Sequence, residues 1–279
     1  MRIIPTTSLT DLIGRYQVFF IDQFGVLRDD AGAYDGAAAA LRAMKAAGKT
    51  VVILSNSGRS GEYNAERLGR LGFDRTTFDH FVTSGDVALA ILSGPDSPIL
   101  RGARCFTISS EGDTNLVNRL GLVAVDKAAD ADVVIIAGSE AETVSMDDYR
   151  ESLRPAAELG RPCFCINPDI HKLANGRTAP GAGSIAKLYE ELGGKVTWLG
   201  KPFADIYEHA LAVSGHPDRR NVVCIGDSID HDILGAKNAR LNSVLVGTGI
   251  LAKKTMAERM SLMAEATAWP TFFMPRFRS

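Results

Sequence analysis

Residues 221–232 read Asn221-Val222-Val223-Cys224-Ile225-Gly226-Asp227-Ser228-Ile229-Asp230-His231-Asp232. The apolar run, with its valines and isoleucine, predicts a buried parallel strand that breaks at Gly226 into a loop carrying Asp227, Asp230 and Asp232. Acidic side chains at the carboxyl end of a parallel strand lie where open α/β sheets bind their ligands. Three carboxylates crowded there repel one another unless a cation neutralises them. The stretch is therefore either a solvated acidic turn or the seat of a hard cation.

Other strands of the same kind favour the cation. Val18-Phe19-Phe20-Ile21 runs into Asp22, and Gly25 follows where the chain must turn. Thr50-Val51-Val52-Ile53-Leu54 ends in Ser55-Asn56, and Val196-Thr197-Trp198-Leu199 ends in Gly200-Lys201-Pro202. Four predicted strands thus end in Asp, Ser, Lys and paired Asp. Together these supply a carboxylate nucleophile, a hydroxyl for a phosphoryl oxygen, a fixed cation and a magnesium cradle. Phosphoryl transfer through an aspartyl phosphate needs that set.

In the order and spacing of these motifs the chain resembles the haloacid dehalogenase (HAD) superfamily of phosphohydrolases over nearly its whole length. Asp22 matches the family's nucleophile, Ser55 and Lys201 its phosphate-binding positions, and Asp227 with Asp232 its G-D-x-x-x-x-D metal motif. Asn56, Gly200-Lys201-Pro202, Asn167-Pro168-Asp169 and Pro180-Gly181-Ala182-Gly183-Ser184 are similar to subclass IIA, which contains nucleotide and sugar phosphatases with a large α/β cap. The resemblance implies an α/β protein with a Rossmann-like core, a parallel sheet and an inserted α/β cap. It implies Mg2+ on Asp22, the backbone carbonyl of Phe24, Asp227 and Asp232. It also implies a phosphoryl group held by Ser55, Asn56 and Lys201, with Asn167 and Asp169 of the cap facing a small phosphorylated metabolite, a sugar phosphate or nucleotide.

One position departs from the family pattern. Its phosphatases carry Asp two residues after the nucleophile, as D-x-D-G, and here that residue is Phe24. The missing carboxyl would protonate the leaving oxygen and then activate water, a contribution of about 10²–10⁴-fold. Three readings therefore stand side by side. The first is a magnesium-dependent HAD-type hydrolase, a phosphatase of small metabolites. The second is a catalytically impaired phospholigand-binding or regulatory protein. The third is an enzyme whose leaving group needs no protonation, such as a phosphonatase, for which no cap lysine is evidently placed. His231 and Asp230 are the groups nearest the metal motif that could take over the acid–base role.

At 279 residues, 46% hydrophobic and 23% charged, the chain can bury a sizeable core and has the length of two domains. Its net charge of −2, with no Lys/Arg-dense segment, leaves no footprint for nucleic acid. The first residues lack the apolar region of a signal peptide, and no segment reads as a membrane span, so the expected location is cytoplasmic. Cys163 and Cys165 alternate with Phe164 in a predicted strand. They read as buried reduced thiols, since no second Cys/His pair with zinc spacing accompanies them.

The chain order suggests a core of residues 1–84 and 179–279 with a cap of residues 85–178. Residues 36–48 are Ala-rich and end at Gly48, the pattern of a crossover helix. Residues 61–71 and 84–92 also read as helices, the latter capped by Ser84 or Asp86. Strand and helix signals repeat through 100–178. Gly181-Ala182-Gly183 reads as the returning hinge, with Ser184 capping a helix over 185–192, and Gly247-Thr248-Gly249 reads as a core turn. The apolar tail Trp269-Pro270-Thr271-Phe272-Phe273-Met274-Pro275 needs cover, either from its own core or from a second copy in a homodimer.

Overall fold

The computed structural model describes residues 3–174 and 177–279 and divides the chain into two compact units. The first comprises residues 1–55, 61–82 and 201–279, and the second residues 56–60 and 83–200.

The first unit is built on a six-stranded sheet. Its strands run in the order Phe272–Met274, Asn242–Val246, Val222–Gly226, Val18–Asp22, Thr50–Ser55, His80–Thr83. Val18–Asp22 is buried at every position and pairs in parallel with both Val222–Gly226 and Thr50–Ser55. A central parallel strand has both faces covered, which is why it reads as an unbroken apolar run. Phe19, Ile21, Val51, Ile53, Val223 and Ile225 share one face, where Leu12, Leu41 and Met44 of two helices pack on them. The Ala-rich segment is the helix Ala37–Ala46, and the chain leaves it through Gly48 at φ +69°. The apolar tail is covered within the chain. Phe272–Met274 adds in parallel to Asn242–Val246, and Met274 is buried.

The second unit carries a five-stranded sheet in the order Val196–Trp198, Cys163–Cys165, Val133–Ile136, Arg104–Ile108, Val123–Ala124, parallel throughout. Alternation along Cys163–Cys165 is as expected. The two cysteines pack with Leu153, Ile185 and Tyr189, while Phe164 packs on the opposite cluster with Ala88 and Leu116. Both thiols are free, and burial pushes the Cys165 thiol up to about 12. The helix Ser84–Leu92 is capped by the Thr83 hydroxyl, which accepts from the Asp86 N–H, rather than by Ser84 or Asp86.

The chain returns to the first unit later than expected. The helix Ala182–Glu191 buries Ile185, Leu188 and Tyr189 against Cys163, Cys165 and Leu153, and Val196–Trp198 pairs with Cys163–Cys165. Residues 179–200 thus belong to the second unit, and the boundary expected after 178 falls after Gly200. The glycines read as a hinge serve close packing instead. A Cβ on Gly181 would lie 2.0 Å from the Asp169 carbonyl oxygen, and one on Gly183 would lie 2.3 Å from that of Pro168. Ser184 is not the cap either, since its hydroxyl donates to the Ile170 carbonyl at 2.7 Å. Among the described residues, no helix is long and apolar enough to cross a membrane.

Candidate active site

The parallel pairing of Val18–Asp22 with Val222–Gly226 sets Ile21 opposite Ile225, so both strands end at one edge of the sheet. Asp22 and Asp227 emerge there. Asp232 joins them from the single π-helical turn Ile229–Ile233, where the Ser228 N–H donates to its Oδ2 at 3.0 Å. The three buried carboxylates each offer an oxygen, and these oxygens all lie within 4.8 Å of one another. Lys201, only 3% exposed, donates from Nζ to Oδ1 of Asp22 and to Oδ1 of Asp232, each at 2.6 Å.

Burial by itself would lower the Lys201 pKa, but the Asp22 and Asp232 carboxylates outweigh it and hold the ammonium well above the usual lysine range. Asp227 is affected oppositely. Burial first, then repulsion from Asp22 and Asp232, pushes its carboxyl well above the ordinary value. Three carboxylates against one ammonium leave two formal negative charges, which one divalent cation would cancel. An all-oxygen donor set of this charge suits a hard cation.

The chain closes tightly on Asp227. The Ile250 N–H donates to its Oδ2 at 2.7 Å. Gly249, at φ +69°, lies so close that a Cβ there would sit 1.8 Å from the same oxygen, and a Cβ on Gly25 (φ +92°) would sit 2.1 Å from it. Only glycine combines those backbone angles with that approach. The Thr248 hydroxyl donates to the Gly25 carbonyl at 2.6 Å, tying this loop to the turn after Asp22.

The remaining expected residues fall in two places. In the first unit, the buried Ser55 hydroxyl donates to Oε1 of Gln23 at 3.5 Å. The half-buried Phe24 ring lies under the Arg28 guanidinium, 5.0 Å from its centroid. In the second unit, Asn56 donates from Nδ2 to Oδ1 of Asp169 at 2.8 Å, across 113 residues of sequence. The Asp169 N–H in turn donates to Oδ1 of Asn167 at 3.3 Å. Asp230 is exposed, and the His231 carbonyl accepts from the Tyr207 hydroxyl at 3.3 Å.

Sequence reading overlooked Gln23, Thr248, Gly249 and the Ile250 N–H. Gly247-Thr248-Gly249 is the expected turn after Asn242–Val246, and what the sequence did not mark is its close approach to Asp227. No sequence signal marked Gln23.

Comparison with known proteins agrees with this geometry. A family profile described as haloacid dehalogenase-like hydrolase matches residues 19–123, and one described as HAD-hydrolase-like matches residues 198–278. The chain belongs to the haloacid dehalogenase-like hydrolases. Chronophin from Homo sapiens is 29% identical over 257 residues, covering 87% of this chain and 85% of that protein. A haloacid dehalogenase-like hydrolase from Brucella suis 1330 superposes with a TM-score of 0.82 at 28% identity, covering 98% of this chain and 99% of that one. A glycerol phosphate phosphatase from Mycobacterium tuberculosis, solved in complex with calcium, gives a TM-score of 0.73 at 26% identity, covering 96% of this chain and 75% of that one.

Proposed function

We propose that the protein is a magnesium-dependent phosphatase of small phosphorylated metabolites that works through an aspartyl phosphate on Asp22. The observation that carries this reading is the meeting of Asp22, Lys201, Asp227 and Asp232 in one buried cluster. The likeness to the glycerol phosphate phosphatase from Mycobacterium tuberculosis, solved with calcium, supports it.

In this reading Asp22 attacks phosphorus in line, forming an O–P bond as the bond to the leaving oxygen breaks. The Ser55 hydroxyl and the Lys201 ammonium receive the phosphoryl oxygens. Mg2+ held by Asp22, the Phe24 carbonyl, Asp227 and Asp232 would supply charge neutralisation to the phosphoryl group. Water then attacks the aspartyl phosphate, freeing inorganic phosphate and restoring the Asp22 carboxylate. Asn56, Asn167 and Asp169 would face the organic part of the substrate. The four cysteines are free and buried, in keeping with a reducing, cytoplasmic setting.

Phe24 favours a second reading, capture of a phosphorylated ligand with little turnover. Its ring, covered by Arg28, offers no proton to a leaving oxygen. The deciding experiment is release of inorganic phosphate from a panel of phosphorylated metabolites with and without Mg2+, with Asp22→Asn as control. Mg2+-dependent release that vanishes in the variant supports the phosphatase. Tight binding of panel members without release supports the second reading, and neither result would overturn both.

A further inference from the structure

Arg259, on the helix Met256–Glu265, is 8% exposed. Among the described residues no carboxylate forms an ion pair with it, and its Nε is buried without a hydrogen-bond partner. Removing a guanidinium from water without a counter-ion is costly, and an apolar chain of similar volume would avoid that cost. Its surroundings show what the charge does. Nη2 donates to the Leu251 carbonyl at 2.9 Å and to the Gly247 carbonyl at 3.5 Å, and the guanidinium lies 5.6 Å from the Phe273 ring centroid.

Those two carbonyls flank the loop that holds Asp227. Between them, the Ile250 N–H points at Oδ2 of Asp227, and the Thr248 hydroxyl grips the Gly25 carbonyl. The peptide groups of residues 247–251 thus lie between the buried Arg259 guanidinium and the buried Asp227 carboxyl group, with carbonyls turned to Arg259 and an N–H turned to Asp227. An alternating arrangement of this kind is electrostatically self-consistent in a low-dielectric interior. It occupies one oxygen of Asp227 and leaves the other for a cation.

We propose that Arg259 is a positioning residue for Asp227, acting through the 247–251 loop to orient that carboxylate for a divalent cation. This rests on the functional reading above, in which Asp227 is a ligand. Partners that orient a metal ligand are typically worth about 10–100-fold in metal affinity.

The test is calorimetric titration of Mg2+ into the full chain, with no substrate present. Arg259→Met, which keeps the bulk and removes the charge, should weaken Mg2+ binding by about tenfold or more. Arg259→Lys, which keeps the charge, should recover part of that loss. A folded Met variant with wild-type affinity overturns the inference, as does equal weakening by Met and Lys, which would make the effect one of shape alone. Should the Met variant fail to fold, Thr248→Val decides. It removes only the tie to Gly25 and should also weaken Mg2+ binding, and an unchanged affinity overturns the inference. Wild-type protein that binds no Mg2+ sinks the functional reading and this inference with it.

Discussion

The Lys201 ammonium lies 2.6 Å from a carboxylate oxygen of Asp22 across 179 residues of sequence. It lies equally close to Asp232, so one buried cation serves two of the three clustered carboxylates. Asp227 has the Ile250 N–H on one oxygen, and burial together with repulsion from Asp22 and Asp232 opposes its ionisation.

Removing the cation should therefore be costly even before any chemistry is considered. Lys201→Met leaves Asp22 and Asp232 buried without their ammonium, and breaking a buried pair in this way costs about 3–5 kcal/mol. Urea denaturation in EDTA should show a loss of that order, and adding Asp22→Asn to the Met variant should restore part of it. A loss below about 1 kcal/mol would mean that the pair is screened far more than its burial implies.

The Asp227 carboxyl gives the metal-free protein a pH signature. Its folded pKa is raised, so its stabilising contribution is present below the unfolded carboxyl value of about 4 and is lost as pH climbs toward the folded value. In EDTA, wild-type protein should lose melting temperature relative to Asp227→Asn as pH rises above about 4. Mg2+ should stabilise the wild type and leave the Asn variant largely unmoved. Melting curves that stay parallel across that range, with no Mg2+ effect, would remove Asp227 from the site.

Two glycines with the same backbone angle separate strain from crowding. Gly48 and Gly249 both have φ +69°, but a Cβ on Gly48 meets nothing within 4 Å, whereas one on Gly249 would sit 1.8 Å from Asp227 Oδ2. Gly48→Ala should cost about 1–2 kcal/mol from the left-handed conformation alone. Gly249→Ala should cost more and abolish the Mg2+-dependent rise in melting temperature. Equal costs and an intact Mg2+ response in both variants would contradict the close approach.

Phe24 should be legible in the kinetics. With no acid at that position, hydrolysis should depend steeply on leaving-group acidity, so acyl and aryl phosphates should far outpace sugar phosphates. Water's attack on the aspartyl phosphate should be slow as well, giving a burst in rapid-quench experiments. Phe24→Asp should speed that second step, by up to about 10²-fold, if the carboxyl can reach the water. Brisk sugar-phosphate hydrolysis without a burst would show that another group has taken over the proton transfers.

Much of this protein is legible locally. A run of β-branched and aromatic residues ending in Asp, as at Val18–Asp22, reports a buried parallel strand, because only a strand covered on both faces is apolar at every position. The same reasoning reaches Ser55, Lys201, Asp227 and Asp232 as strand-end or loop groups, and the alternation of Cys163 and Cys165. Periodicity says that a face is buried, however, and does not say against what. Nothing in the amphipathic pattern of Ala182–Glu191, or in the short strand Val196–Trp198, names the sheet each joins, and only packing against Cys163 and Cys165 assigned them to the second unit. The contacts of Gly249 with Asp227, Asn56 with Asp169 and Arg259 with Leu251 are likewise tertiary facts. Each depends on chain segments brought to within a few ångströms by the fold, an approach that side-chain pattern along the sequence does not encode.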